Sequence, residues 1–411
     1  MTDLDESYLL RVPTAEDMDG FYNSLSTAFA SSNPEGMTEG IGIVVERERC
    51  VVAVHDGEVV GTAGVLTREL TVPGGPIPAA HVSEVTVQPT HRRRGLLRRM
   101  MTHQLTTVPE AIAVLWASEG RIYQRFGYGL ATKSVSAEIA NREAHVRPGN
   151  GPAAGRLRLA SPDSVRKDLE DVYARVWGTV PGLSSRDERW WTKRIADPEW
   201  RRNGSTALRA VVLEDATGAT GYALWRVKGS GNEKGPTGEV SVTEVVATTA
   251  AGYADLWRFL LDIDLTRVVR AWLVGIEEPL IYLVDEPAAL GLRYSDGLWL
   301  RVVDVPRALA ARRFSRPLDT VIEVGDALLP ANAGRWRLRV ADDGFATCEP
   351  AGDAPADVAC DVADLGAAYL GGSSLAQLAL AGRVTELRAG TLHPLAVAFG
   401  WPVSPTAIEI F

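Results

Sequence analysis

The chain has 411 residues, 46% apolar and 23% charged, a composition typical of a folded protein and a length that favours two or three cores over one. Its formal charge of −9 disfavours a general nucleic-acid binder, and no apolar run approaches the roughly 20 residues that cross a bilayer. The opening MTDLDESYLLRVP lacks the basic head and apolar stretch of an export signal, so a cytoplasmic location is expected, with secretion by another route left open.

Residues 1–150 read β-α-β-β-β-α. A helix is expected near Ala15 to Ala30, followed by strands in IGIVVERE, in CVVAVHDGEVVGTAGVLTREL and in HVSEVTVQP. His55-Asp56-Gly57 between two apolar runs signals a hairpin. After Gly95, the spacing of Leu97, Met100, Met101, Leu105 and Val108 predicts a helix that Pro109 closes. AIAVLWA then reads as a short buried strand, and RPGNGPAAG marks a domain boundary.

Residues 151–304 hold a tryptophan-rich helical stretch, RDERWWTKRIADPEWRR, whose Trp190-Trp191 pair reads as helix packing. Strands ALRAVVLED and TGYALWRVK follow, then SVTEVVATTAAGYADLWRFLL. At an offset of 160 this last segment repeats VSEVTVQPTHRRRGLLRRMM, with Glu84 over Glu244, Val85 over Val245, Leu96 over Leu256 and Arg98 over Arg258. Gly252, Tyr253, Ala254 and Asp255 then stand where the first copy has three arginines and Gly95. The second copy is expected to be structural and the first to carry the chemistry.

Residues 305–411 are richer in Ala, Asp and Gly and predict a small α+β domain with its own sheet. Cys50, Cys348 and Cys360 are widely separated, with no CxxC pair, so neither a disulfide framework nor a metal site is expected.

The chemistry concentrates at residues 82–101. A strand ending in Val85-Thr86-Val87, a tight turn, and Gly95 at the start of a helix would gather main-chain N–H groups at the positive end of the helix dipole. That arrangement suits a phosphate, and above all a pyrophosphate, with the arginines adding charge-assisted contacts. The bland alternative is a solvated basic patch.

The pattern V-x-V-x-P-x-x-R-R-x-G-L-L resembles the acetyl-coenzyme A loop of GNAT-fold N-acetyltransferases, although Leu97 stands where that pattern has a small residue. With HRRRGLLRRM, ASEGRIYQRFGYGLAT, the degenerate second copy, a sterol-carrier-like tail domain and a terminal Phe, the whole chain resembles the enhanced intracellular survival (Eis) acetyltransferases. The resemblance implies an α+β architecture of two tandem GNAT domains, the second degenerate, and a C-terminal sterol-carrier-protein-like α+β domain, with bounds of 1–150, 151–304 and 305–411. It implies acetyl-CoA as co-substrate, with Val85, Thr86 and Val87 pairing with the pantetheine arm. Arg93, Arg94, Gly95, Leu96, Leu97 and Arg98 would cradle the phosphates, and Ser118 and Glu119 would lie beside the thioester.

For the reaction, the resemblance gives Tyr123 as general acid and the α-carboxylate of Phe411 as general base. Tyr128 is the weaker candidate acid, Glu84 a competing base, and His81 and His103 are candidates by residue type alone. Expected substrates are small amines, notably aminoglycosides and other polyamines, and lysine side chains, with Glu35 and Glu39 as guesses for acidic pocket residues. A homohexamer, a dimer of trimers, is also implied, with neither nucleic acid nor membrane as partner. The alternative is a lipid- or ligand-binding protein with a vestigial acyltransferase half.

Overall fold

The computed structural model describes residues 7–30, 34–147 and 154–411. The chain begins with β1 (Leu9–Arg11), α1 (Met18–Ala28) and α2 (Pro34–Gly42), then β2 (Cys50–His55), β3 (Glu58–Val72) and β4 (Gly75–Val87). Next come α3 (Leu96–Thr107), β5 (Ile112–Trp116), α4 (Gly120–Gln124), β6 (Gly129–Leu130) and β7 (Lys133–Ala140). The middle of the chain forms β8 (Arg156–Ala160), α5 (Arg166–Val176), α6 (Glu188–Ile195), α7 (Glu199–Arg202), β9 (Arg209–Asp215) and β10 (Gly218–Lys228). A small hairpin, β11 (Gly231–Asn232) with β12 (Gly235–Pro236), leads to β13 (Gly238–Ala247), α8 (Ala250–Leu261) and β14 (Thr266–Val274). Then follow α9 (Leu280–Leu283), β15 (Arg293–Asp296) and β16 (Leu298–Val302).

These strands build two seven-stranded sheets on one plan, β1-β2-β3-β4-β5-β16-β6 and β8-β9-β10-β13-β14-β7-β15. Neighbours run antiparallel except β4 with β5 and β13 with β14, pairs whose parallel sense needs the crossover helices α3 and α8. The sheets exchange a strand. β7 crosses into the second sheet between β14 and β15, and β16 returns to the first between β5 and β6. All five residues of β16 are buried, as in an interior strand covered on both faces. Cuts at 150 and 304 therefore leave each exchanged strand on the far side from the sheet it completes.

The β2–β3 hairpin turns at Asp56 (φ 49°) and Gly57 (φ 82°), both left-handed as a tight two-residue turn needs. IGIVVERE is not a strand. Its first residues end α2 and Arg47–Arg49 form a 3-10 turn, because the outer edge of β2 is already taken by β1. Val44 instead packs on Leu66 and Trp190.

The third domain carries α10 (Val305–Ala311), β17 (Leu318–Gly325), β18 (Gly334–Val340), β19 (Ala346–Pro350), β20 (Val358–Asp361), α11 (Val362–Ala368), α12 (Leu375–Leu380), β21 (Val384–Glu386) and α13 (Leu392–Phe399). Its sheet runs β19-β18-β17-β20-β21. Its core is continuous with that of the first sheet, so Ile112, Val114 and Leu300 share a cluster with Ile322, Leu365 and Phe399. The contact is close at two glycines. A Cβ on Gly129 would lie 1.8 Å from the Ala363 carbonyl oxygen, and one on Gly366 2.2 Å from that of Leu300, so α11 lies directly on the strand backbones. Buried Arg301 of β16 pairs with Asp326 at 2.5 Å and locks the same interface.

Candidate active site

Strand β4 is bent and splayed. Thr62 of β3 faces Thr86, but Gly64 faces Ser83, so Glu84 and Val85 together oppose Ala63 as a bulge. Glu84 there has φ 56°, an unusual conformation for a residue with a side chain. Pairing of β4 with β5 stops after Ala80–Ala113 and His81–Val114. Beyond it, Val85, Thr86 and Val87 are held from the β3 side and present an unpaired edge on the other. The Thr86 hydroxyl is tied to those of Thr62 (2.7 Å) and Ser24 (3.0 Å), while Val85 and Val87 pack in the cluster that holds Leu96 and Met100 of α3.

The arginine loop follows. Arg93 (φ 63°) and Gly95 (φ 78°) are both left-handed on either side of Arg94, the alternation by which a short backbone stretch forms an anion-binding nest. Gly95 caps the N-terminus of α3 and is exposed. Arg93 and Arg98 are exposed, and their guanidinium groups make no hydrogen bond or ion pair among the described residues. Arg94 is engaged otherwise, donating to the Tyr8 hydroxyl at 2.7 Å. Leu96 is buried and Leu97 half-buried, so both side chains serve packing and only their main chain faces the nest.

Tyr123 lies on α4, with its ring edge-on to Tyr128 at 6.0 Å. Burial pushes its phenol up to about 12, so it stays protonated at neutral pH. Tyr128 is fully buried with a hydroxyl that meets no partner, and burial raises it further still. Ser118 and Glu119 are exposed at the end of β5, where Glu119 pairs with Arg121 at 3.6 Å.

The chain terminus reaches β4. Ser83 Oγ donates to a terminal oxygen of Phe411 at 2.9 Å, and the Phe411 ring sits edge-on to His81 at 4.6 Å, beside Val44, Leu66 and Trp190. Trp116 Nε1 holds the Glu409 carbonyl at 2.8 Å, and the Thr406 N–H donates to the Pro181 carbonyl at 2.8 Å. His81 is not a base. Its Nδ1 donates to the Ala79 carbonyl (3.0 Å), which leaves Nε2 to accept from Ser184 Oγ (2.8 Å), and burial followed by nearby Arg68 pulls its pKa down to about 3. Glu84 is buried beside Ser83, and burial raises its carboxyl against the pull of Lys193. His103 is exposed on the far turn of α3.

Residues of the second sheet's domain complete this side of β4, and no local sequence signal marks them. Arg68 (3.8 Å) and Lys193 (4.6 Å) both lie over the Trp190 ring, so one member of the tryptophan pair faces the first domain while Trp191 packs on Tyr173. The Lys193 ammonium makes no hydrogen bond or ion pair among the described residues; its cationic form is disfavoured by burial, and Glu84 and then Glu409 counter that. Glu39 is exposed on α2, and the Glu35 side chain lies outside the described residues. No group of three or more His, Cys, Asp or Glu suited to a metal occurs among the described residues.

The second copy keeps the strand bulge, where Leu224 faces Glu244 and Trp225 faces Val242. Its helix is in a different register from the offset of 160. Buried Leu96, Met100, Met101, Gln104 and Leu105 of α3 match buried Gly252, Leu256, Trp257, Leu260 and Leu261 of α8 at an offset of 156. Four residues of the arginine loop are therefore missing, rather than Gly95 being replaced by Asp255. Thr249 caps α8 instead, its Oγ1 accepting from the Gly252 N–H at 3.1 Å.

Two sheets on one plan, the first followed by a nest and the second, among the described residues, by none, define a GNAT-type N-acetyltransferase fold. Models of the acetyltransferase (GNAT) domain match residues 10–131 and 182–302, and that of the sterol carrier protein domain matches 305–407. The N-acetyltransferase Eis of Mycobacterium tuberculosis is 34% identical over 97% of this chain and 98% of its own. An uncharacterised N-acetyltransferase of Streptomyces coelicolor is 42% identical over 96% and 97%. The crystal structure of Eis1 from Mycobacterium abscessus superposes with a TM-score of 0.82 at 31% identity, covering 98% of this chain and 100% of that one. The chain belongs to the Eis family of N-acetyltransferases.

Proposed function

We propose that the first GNAT domain transfers the acetyl group of acetyl-CoA directly to a primary amine, with Tyr123 as general acid and the Phe411 carboxylate as general base. The observation that carries this reading is the Ser83–Phe411 hydrogen bond at the β4 bulge, beside the unpaired edge of Val85 to Val87. The nest, with two arginines at its rim whose guanidinium groups are unpartnered among the described residues, fits a pyrophosphate, and the β4 edge beyond its pairing with β5 fits the amides of a pantetheine arm. When bound, the co-substrate supplies an activated acetyl thioester.

The terminal carboxylate, ordinarily of pKa about 3.5, does not strip an alkylammonium of pKa about 10. It accepts a hydrogen bond from the neutral amine and takes up the proton as the N–C bond forms and the nitrogen becomes acidic. Tyr123 gives its phenolic proton to the sulfur as the C–S bond breaks. The expected acceptors are polyamines, including aminoglycosides, and lysine side chains, handled in the cytoplasm with neither nucleic acid nor membrane as partner. Incubation with acetyl-CoA and an aminoglycoside bearing several primary amines should release free thiol with saturation in both substrates. No thiol release across a broad panel of amines would overturn the assignment.

A further inference from the structure

Second GNAT domains that lack a nest invite the question of what their buried charges do. Here a cluster of buried charges lies beside the β13 bulge. Glu244, with no exposed side-chain surface, accepts from Arg186 at 3.0 and 2.6 Å, from Arg194 at 2.6 Å and from the Tyr222 hydroxyl. Arg186 is equally buried, lies over the Tyr173 ring at 3.9 Å, and reaches onward with Nε to Glu409 Oε1 at 3.4 Å. The other oxygen of Glu409 accepts from Arg68 Nη2 of β3 at 2.7 Å, and Arg68 Nε is fixed on the Ser185 carbonyl at 2.8 Å.

We propose that this chain of ion pairs, Glu244–Arg186–Glu409–Arg68, is the anchor that sets the terminal carboxylate at the β4 bulge, and that Glu409 is a positioning residue for Phe411. The inference rests on the reading of Phe411 as base. It draws one residue from the tail, one from the first sheet and two from the second sheet's domain into a single buried contact, two residues before the chain end. Ile410 between them is exposed, so between Glu409 and the contacts of Phe411 itself the tail has no further apolar anchor. One Glu409 oxygen accepts a hydrogen bond from Arg68, the other lies within ion-pair distance of Arg186, and its carbonyl is held by Trp116, which restricts the direction of the last two residues. A carboxylate taken out of water persists when its charge is matched and its geometry fixed, and three guanidinium groups surround this one and Glu244. A base acting at one bond length gains from such fixing, since a displacement of about 1 Å lowers rates by up to about 100-fold.

Glu409→Gln keeps the shape and removes the charge, and Glu409→Asp keeps the charge but withdraws it by one methylene. In intact protein, carboxypeptidase A should release Phe411 slowly from the wild type and at least about tenfold faster from Glu409→Gln, with Glu409→Asp between. Turnover should fall about 10- to 100-fold in Glu409→Gln while KM for acetyl-CoA stays within about twofold. In a chain lacking Phe411, the same substitution should add no further loss, because Glu409 acts through the residue removed. Phe411 as protected in both variants as in the wild type would overturn the proposal, as would an equal loss from Glu409→Gln with and without Phe411. If removal of Phe411 leaves turnover intact but the variants still expose it, the anchor stands and the base assignment falls.

Discussion

Tyr123 and Phe411 differ in what holds them. The phenol is desolvated, which raises its pKa to about 12, whereas the Phe411 end contacts a hydroxyl and an imidazole ring and follows a residue held in an ion-pair chain. In the proposed mechanism the general acid works only while protonated, so the contribution of Tyr123 would be present below its pKa and lost above it. Tyr123→Phe should lower kcat by about 100-fold or more while leaving acetyl-CoA affinity unchanged. Any alkaline fall in wild-type activity below pH 10 should persist in the variant, because another group causes it. A variant that keeps more than half of the wild-type kcat would remove the acid role. His81 shows the opposite use of burial, since a neutral ring with both nitrogens occupied provides a flat wall for Phe411 and no base.

The arginine loop shows how far a motif can be read. The Arg93 and Arg98 guanidinium groups make no hydrogen bond or ion pair among the described residues, so Arg93→Ala and Arg98→Ala should each weaken coenzyme A binding about tenfold by calorimetry, more at low salt than at high. Arg94→Ala should cost less affinity and more thermal stability, since it loses the Tyr8 contact; unchanged affinity in both of the first two variants would sink the phosphate reading. The strand, loop and helix at residues 82–107 were legible because hydrophobic period and Gly95 are local signals. The β2–β3 hairpin was legible for the same reason. IGIVVERE has strand-like composition, yet a β-strand exists only where a ladder is free, and β1 had already filled that edge. The second copy was legible as a copy but not in register, because four residues missing from a loop leave no trace in strand or helix pattern. The tail's meeting with Ser83, 328 positions away, has no local signal at all, and its presence in the sequence reading came from family resemblance.

On the scale of the molecule, the three domains act as one body around the site, with the first sheet sharing its core with the third domain and the second supplying the anchor. The second domain also exposes Trp272, Tyr282 and Tyr294, with Tyr294 on edge strand β15. In the homohexamer proposed from the family resemblance, such side chains would be covered at contacts between subunits. Light scattering should give a mass near six times the 44.3 kDa of the chain, and a monomer mass at all concentrations would exclude that assembly.

The exchanged strands have a consequence for synthesis. Because β16 lies between β5 and β6, the first sheet stays incomplete until residues 298–302 have left the ribosome, 182 residues after β5 ends at Trp116. At ordinary elongation rates this leaves a bare, apolar sheet edge waiting for roughly 10–40 s. Until then the unfilled edge is open to non-native strand pairing, and a gene cut between the two GNAT modules would yield two halves that each lack an interior strand.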